Sequence, residues 1–326
     1  MSFLRGFFVC ALLASLAACG SDRPAPMAMD AGAADVGVDA RMPDWPEPWD
    51  FHPALGDPNG IPADVRPLFV STDVPPLPEP GPDDWLTSNP EPGQTFDQWL
   101  ASSPNQVTEW RYILFVVPLG DPESFTAPNL DELAAFYEAF FGLEVRFLDA
   151  IDPVAEGITE RRNPYDGRRQ LLSTDVLALL RSRLPDGAFS LIAITTIDLY
   201  PEDSWNFVFG QASLARRVGV FSFARYGGVA RETTMLRAFK VLAHETGHMF
   251  GIEHCTFFHC LMNGANHLAE LDAEPIHLCP VDHRKLYTTV GFDPVARYRS
   301  LIEVYQGFGL TEEASWLENR LLRSGY

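Results

Sequence analysis

Hydrophobic and polar positions divide the chain into two textures that meet near residue 107. Beyond that point the pattern is that of a folded layer. Residues 112–117, Tyr-Ile-Leu-Phe-Val-Val, form a continuous β-prone run stopped by Pro118 and Gly120, as a buried strand does. Residues 130–141 carry apolar side chains at helical spacing and end at Gly142, a residue suited to closing a helix. Residues 143–148 alternate like a half-buried strand, 171–184 read as a second helix, and 189–197 as a strand. Two more strands are expected at 206–210 and 218–223. The order β-α-β-α-β-β-β, with helices between the early strands, predicts an α/β (α+β) domain built on a mixed sheet. A long helix should begin near Arg231-Glu232-Thr233, with Glu232 at its positive end and Thr233 able to cap it. Its inner face carries Met235, Leu236, Phe239, Leu242 and Ala243. After Pro280, helical spacing resumes through residues 284–290 and restarts at Asp293-Pro294. Tyr298, Leu301, Ile302, Val304 and Tyr305, then Ala314, Leu317 and Leu321, predict a helical hairpin, a smaller C-terminal subdomain. The expected folded unit is residues 107–326, with no internal repeats.

Residues 20–106 read differently. They hold 17 of the 27 prolines, and 15 acidic residues against 3 basic ones. Runs such as residues 74–82, Val-Pro-Pro-Leu-Pro-Glu-Pro-Gly-Pro, exclude helix and interior strand. The composition favours a solvated, largely disordered tether. The alternative is a pro-segment covering the active site; Trp45, Trp49, Trp85 and Trp99 mark stretches able to dock on the domain. Residues 20–106 contain no cysteine.

Residues 1–19 read as a targeting segment: Arg5 supplies positive charge, and residues 7–16 form an apolar stretch too short to span a bilayer. It ends in Leu16-Ala17-Ala18-Cys19-Gly20, which resembles a bacterial lipobox. That resemblance implies export, cleavage before Cys19 and lipidation of its thiol, so that acyl chains anchor the protein to a bacterial membrane on its periplasmic or outer side. An ordinary signal peptide is the alternative. Gly20 in place of aspartate is a hint of outer-membrane placement.

The formal charge of −20 opposes binding to nucleic acid, which needs a basic face, and to anionic head groups. No phosphate-binding glycine loop is present, which excludes the common nucleotide enzymes. With Cys10 removed and Cys19 lipidated, Cys255, Cys260 and Cys279 remain, an odd number of thiols in an oxidising compartment.

The long helix ends in His244-Glu245-Thr246-Gly247-His248. Residues four apart lie one turn apart on one helix face, so His244 and His248 can present both imidazoles to one ion. Glu245 is displaced around the helix, placed to reach a water rather than the metal. A catalytic zinc site needs a third ligand and an open position. Gly251 can take positive φ, break the helix and bring His254 round. His244-Glu245-x-x-His248-x-x-Gly251-x-x-His254 is the metzincin pattern. That clan also has a methionine turn under the metal; Met262 in Leu261-Met262-Asn263-Gly264 suits it, Asn-Gly being a strong turn dipeptide.

His254-Cys255, Cys260-x-Met262 and Leu278-Cys279-Pro280-Val281 narrow the resemblance to the archaemetzincins, joined by Asp198-Leu199-Tyr200-Pro201 and by residues 206–212 and 217–226. The resemblance covers roughly residues 110–320. It implies a metzincin-like zinc peptidase domain acting on peptides or proteins, with a second, structural zinc on four cysteines, hence two Zn²⁺ per chain. The family's last cysteine falls on Asp282 here, and the gap from Met262 to Cys279 is one residue short. Cys255, Cys260 and Cys279 completed by Asp282 or His283 still make a tetrahedral set. The alternative is a Cys255–Cys260 disulfide with Cys279 free. His259, His267 and His277 are read as surface or supporting residues, and Arg225 and Tyr226 as cleft-lining or packing residues.

The chemistry these residues imply is hydrolysis: zinc on His244, His248 and His254 acidifies water, and Glu245 moves its proton. The strand expected at Asn206, Phe207, Val208, Phe209 and Gly210 would form the cleft rim and pair with an extended substrate. The rival is a catalytically silent zinc lipoprotein that binds peptides or a partner, or stores zinc; Glu245, which has no ligand role, opposes it.

Overall fold

The structure is a computed structural model that describes residues 50–326. Arg5, Cys10, Cys19, Trp45 and Trp49, and with them the signal, lipobox and anchor expectations, lie outside the described residues. In chain order the described elements open with short 3-10 turns at Pro53–Leu55, Pro58–Gly60 and Arg66–Phe69. Two short helices follow, α1 (Trp85–Ser88) and α2 (Phe96–Ala101), and then β1 (Arg111–Leu119), α3 (Leu130–Phe141) and β2 (Glu144–Phe147). The middle of the chain forms β3 (Glu160–Arg162), β4 (Arg169–Leu172), α4 (Ser173–Ser182), β5 (Gly187–Thr195) and β6 (Asp198–Tyr200). After β7 (Gly210–Ser213) and β8 (Val218–Ser222) comes the long helix α5 (Arg231–Met249), then α6 (Leu268–Ala273), α7 (Pro280–Val290), α8 (Pro294–Gly307) and α9 (Thr311–Arg323).

The mixed sheet is present, in the order β2-β1-β5-β8-β7. The first four strands are parallel and β7 runs antiparallel along one edge. Alternate residues of β1 serve opposite faces: Leu114 and Val116 join the core under α3 and α5, whereas Ile113, Phe115 and Val117 join the one under α4. Both faces are therefore covered, which explains the unbroken apolar run. Two helix ends follow their sequence signals. Asn129 and Glu132 form a capping box on α3, and Gly142 closes it at φ 65°.

Four expectations are corrected. Strand β1 continues through Pro118, whose carbonyl still accepts from Ile151 N at 2.9 Å. Helix α4 starts at Ser173 rather than 171, because Gln170, Leu171 and Leu172 pair with Asp198, Leu199 and Tyr200 in a second, three-stranded sheet, β3-β4-β6. The strand expected at 206–210 lies later, at Gly210–Ser213. Residues 206–209 cross between the two sheets, bridging only Val208 to Leu199, while Phe207 and Phe209 enter one core and Val208 the other.

The fourth correction concerns the N-terminal segment. From residue 50 it is a folded strap rather than a free tether, and residue 107 marks no edge of the folded body. Leu55, Leu68, Phe69, Phe96 and Trp99 sit in the same core as α3 and α5. Pro76 bridges Phe258, and Leu77 N donates to Phe257 O. Trp99 Nε1 donates to Phe250 O at 2.9 Å, Lys285 reaches Gln94 O, and Arg320 holds Leu68 O, Val70 O and Asp73. Prolines in such a strap cost little, because its segments are anchored by side chains rather than by a backbone ladder.

Among the described residues no helix is long and apolar enough to cross a membrane. Trp99 is fully buried, so Trp99→Ala should lower the unfolding free energy by about 3–5 kcal/mol in denaturant melts; a free tether predicts no change.

Candidate metal centre

Helix α5 is buried on nearly every side from Met235 to Met249. Buried Arg237 and Lys240 anchor it sideways: Arg237 pairs with Asp272, and Lys240 donates to the carbonyls of Leu271 and Asp272. Its last turns carry His244, Glu245 and His248. Gly251 has φ +76°, and a side chain there would also strike Pro104 of the strap. The chain reverses, and Ile252 O returns to His248 Nδ1 at 2.7 Å. The reversal brings His254 to the pair, with ring centroids 5.2 Å from His244 and 5.0 Å from His248.

Each imidazole is tied from behind. His244 Nδ1 donates to Leu261 O at 2.9 Å, His248 Nδ1 to Ile252 O, and His254 Nδ1 to the Glu91 carboxylate at 2.9 Å. Carbonyl and carboxylate oxygens only accept, so each proton sits on Nδ1 and each lone pair on Nε2. Nε2 of His248 and of His254 is buried without a hydrogen-bond partner, a costly arrangement for a ring nitrogen facing nothing. Ligand atoms of the three histidines lie within 4.8 Å of one another. Burial pushes His244 down to about 3 and His248 well below the usual imidazole range, with the neighbouring histidines adding to both shifts. Both rings are therefore neutral at physiological pH, the form that ligates zinc. The residues fit the ion.

Glu245 is fully buried and stands outside the trio. Its carboxylate packs against the backbone of Gly210, the first residue of edge strand β7. Of the residues expected at the rim, Gly210 is thus placed beside the chemistry. Phe207, Val208 and Phe209 bury their side chains in the cores, and Asn206 accepts from Asn163 Nδ2 at 2.8 Å. Met262 is fully buried with its sulfur against α5 at Gly247, under the histidine pair. Asn263 holds that turn: its side chain accepts from Cys260 N and donates to the carbonyls of Cys255 and Phe258.

A second cluster lies alongside. Cys255, Cys260, Cys279 and Asp282 are all buried, with ligand atoms within 4.8 Å of one another. The three thiols are free, so the disulfide alternative is not realised. Asp282 Oδ2 lies 3.4 Å from Cys279 Sγ and 3.6 Å from Cys260 Sγ. His283 takes no part: it stacks on Phe69 at 4.6 Å and meets Tyr298 OH. Burial lifts the Asp282 carboxyl to about 6, opposed by Lys285, whose Nζ lies 2.9 Å from Oδ1. Burial also pushes the Cys260 and Cys279 thiols up. Three sulfurs and one carboxylate suit a tetrahedral zinc ion, which draws such protons off.

The remaining histidines stay out of both clusters. His259 is half-buried, its backbone N bonded to Pro75 O, and His277 stacks on Trp316 at 3.5 Å. His267 caps α6 and contacts Asp84; the Glu270 carboxylate beside it is taken up by the backbone N–H groups of Trp85 and Asn266. Arg225 locks Asp198 and lies over the Phe207 ring, and Tyr226 is buried. Glu91 is the site residue that sequence reasoning missed. It lies 163 positions before His254, and no spacing signal connects the two.

Two imidazoles one helical turn apart, a third returned by a glycine reversal, and a buried carboxylate kept off the trio define the zinc-dependent peptidase class. Residues 170–287 match the model of Peptidase family M54. Archaemetzincin-2 of Macaca fascicularis is 37% identical over 257 residues, covering 68% of this chain and 71% of that one. Human Archaemetzincin-2 is 37% identical over 259 residues with the same coverage. The solved archaemetzincin of Methanopyrus kandleri is 26% identical, covers 56% of this chain and 97% of that one, and superposes with a TM-score of 0.45. The chain belongs to the archaemetzincin family, Peptidase family M54.

If Met262 is a packed floor rather than a ligand, shape decides its replacements. Met262→Leu should cost less than about 1.5 kcal/mol of unfolding free energy and Met262→Ala about 2–5 kcal/mol, read from denaturant melts.

Proposed function

We propose that this chain hydrolyses peptide bonds in peptides or proteins as a metzincin-type zinc peptidase, with a second, structural zinc beside the catalytic one. The observation that carries the reading is the separation of roles on α5. His244, His248 and His254 bring ligand nitrogens within 4.8 Å of one another, while Glu245 is buried and outside the trio. Zinc held there supplies Lewis acidity, polarising the scissile carbonyl and letting water attack near neutral pH. Glu245 takes the proton of the attacking water and passes it to the leaving amine. Strand β7, at the edge of the sheet and beginning at Gly210 against Glu245, is the place we assign to pairing with an extended substrate backbone. Such pairing recognises main chain and gives little sequence preference.

Cys255, Cys260, Cys279 and Asp282 hold the second ion, with Asp282 in the place of a fourth cysteine and buried Lys285 offsetting part of the negative charge. By the sequence of residues 5–20, the protein is exported and anchored through lipid on Cys19 to a bacterial membrane. The −20 formal charge supports a protein or peptide partner over nucleic acid.

Activity on a peptide library should vanish with chelation and return with zinc. Glu245→Ala should keep its metal yet lose roughly 10²–10⁴ in kcat; full activity in that variant contradicts the reading and favours a silent, peptide-binding lipoprotein. Metal analysis should find two zinc ions per chain, falling to one in Asp282→Ala and returning to two in Asp282→Cys; a single ion in the unaltered chain contradicts the second site.

A further inference from the structure

We propose that Glu91, supplied by the N-terminal strap, is a positioning residue for the histidine-bound zinc. Its carboxylate fixes the tautomer and ring orientation of His254 and strengthens that imidazole as a donor. The inference rests on the reading that His244, His248 and His254 hold zinc.

The three histidines are not oriented alike. His244 and His248 donate to neutral backbone carbonyls from their own neighbourhood. His254 instead faces an acidic side chain 163 residues away, with Glu91 Oε2 at 2.9 Å and Oε1 at 3.1 Å from Nδ1. Hydrogen bonds to ionised acceptors are roughly twice as strong as neutral ones. A carboxylate behind a ligating imidazole also places negative charge next to a ring that gains positive character when a dication binds. The His254 side chain is 1% exposed, which limits screening of that interaction.

The carboxylate is itself held. Trp85 Nε1 donates to Glu91 Oε1 at 3.1 Å, and the Trp85 ring meets His254 edge-on, with centroids 5.1 Å apart. Trp85 N is bonded to Glu270, and its indole occupies the space a side chain at Gly264 would need. On the other side of Glu91, the Gln94 side chain donates to Gly251 O and accepts from Glu253 N, gripping the reversal that carries His254. Residues 85–94 thus clamp the loop of the third ligand from the side opposite its Nε2. The affinity of the catalytic ion is set in part from outside the histidine motif.

Cobalt(II) titration of the metal-free full chain tests this, because the two sites differ optically. Thiolate ligation gives an intense charge-transfer band in the near ultraviolet together with visible bands that rise in step with it, whereas the imidazole site gives weaker visible bands with no charge-transfer partner. In Glu91→Ala the visible absorption left after subtracting the part that tracks the charge-transfer band should saturate at 10–100-fold higher free cobalt, with the charge-transfer titration unmoved and the melting temperature of the metal-free protein unchanged. Glu91→Gln, which keeps size and an accepting oxygen without the charge, should recover part of the loss. Unchanged affinity at the imidazole site in both variants overturns the proposal. So does an equal loss at both sites with a lowered apo melting temperature, which marks a merely structural role. Absence of any visible absorption beyond that which tracks the charge-transfer band in the unaltered chain overturns the three-histidine reading itself, and this inference with it.

Discussion

The site depends on one constraint: each imidazole has its Nδ1 proton committed to an acceptor behind it. Leu261 O, Ile252 O and the Glu91 carboxylate take those protons. The lone pairs are thereby forced onto Nε2, and burial keeps His244 and His248 neutral. Without these acceptors the rings would be free to turn or to exchange tautomers, and no common point would exist for an ion. The acceptors come from three places: the methionine-turn loop, the reversal after Gly251, and the strap. The packing of each is therefore part of the metal centre, even though none of the three is a ligand.

Much of this was legible from short-range pattern. Two histidines four apart need only helical periodicity, and Gly251 needs only a position where φ is positive. The unbroken apolar run of β1 and the closing glycine of α3 are likewise local, and the structure keeps both. The errors fell where tertiary pairing decides between equally good local choices. Leu171 and Leu172 suit a helix, but Leu199 and Tyr200 offer them a parallel partner. Residues 206–209 alternate like a strand because their side chains enter two cores in turn, while the backbone makes an isolated bridge from Val208 to Leu199 and accepts from Ser222 N at Phe209 O rather than joining a ladder. The fourth member of the cysteine cluster was open between Asp282 and His283 because consecutive residues cannot be ranked without knowing which way α7 faces. His283 is stacked away on Phe69, and Asp282 points to the sulfurs.

The strap was the largest misreading, and the reason is physical. Proline and acidic residues deny a segment a hydrogen-bonded ladder, but they do not prevent docking through widely spaced anchors. Leu55, Phe69, Trp85, Phe96 and Trp99 are such anchors, each buried. The tryptophans hinted at this. Composition averages over a segment, whereas docking depends on a few large side chains reaching sites elsewhere in the chain. Glu91 illustrates the limit: one acid among many in the sequence, it becomes distinct only through its distance to His254.

The most direct measurement is a crystal structure with anomalous data collected at the zinc edge. The account predicts an anomalous peak about 2.0–2.1 Å from Nε2 of His244, His248 and His254 together, with Glu245 outside the coordination sphere. A peak bound through Glu245, or His254 turned away from the pair with no ion between them, contradicts it.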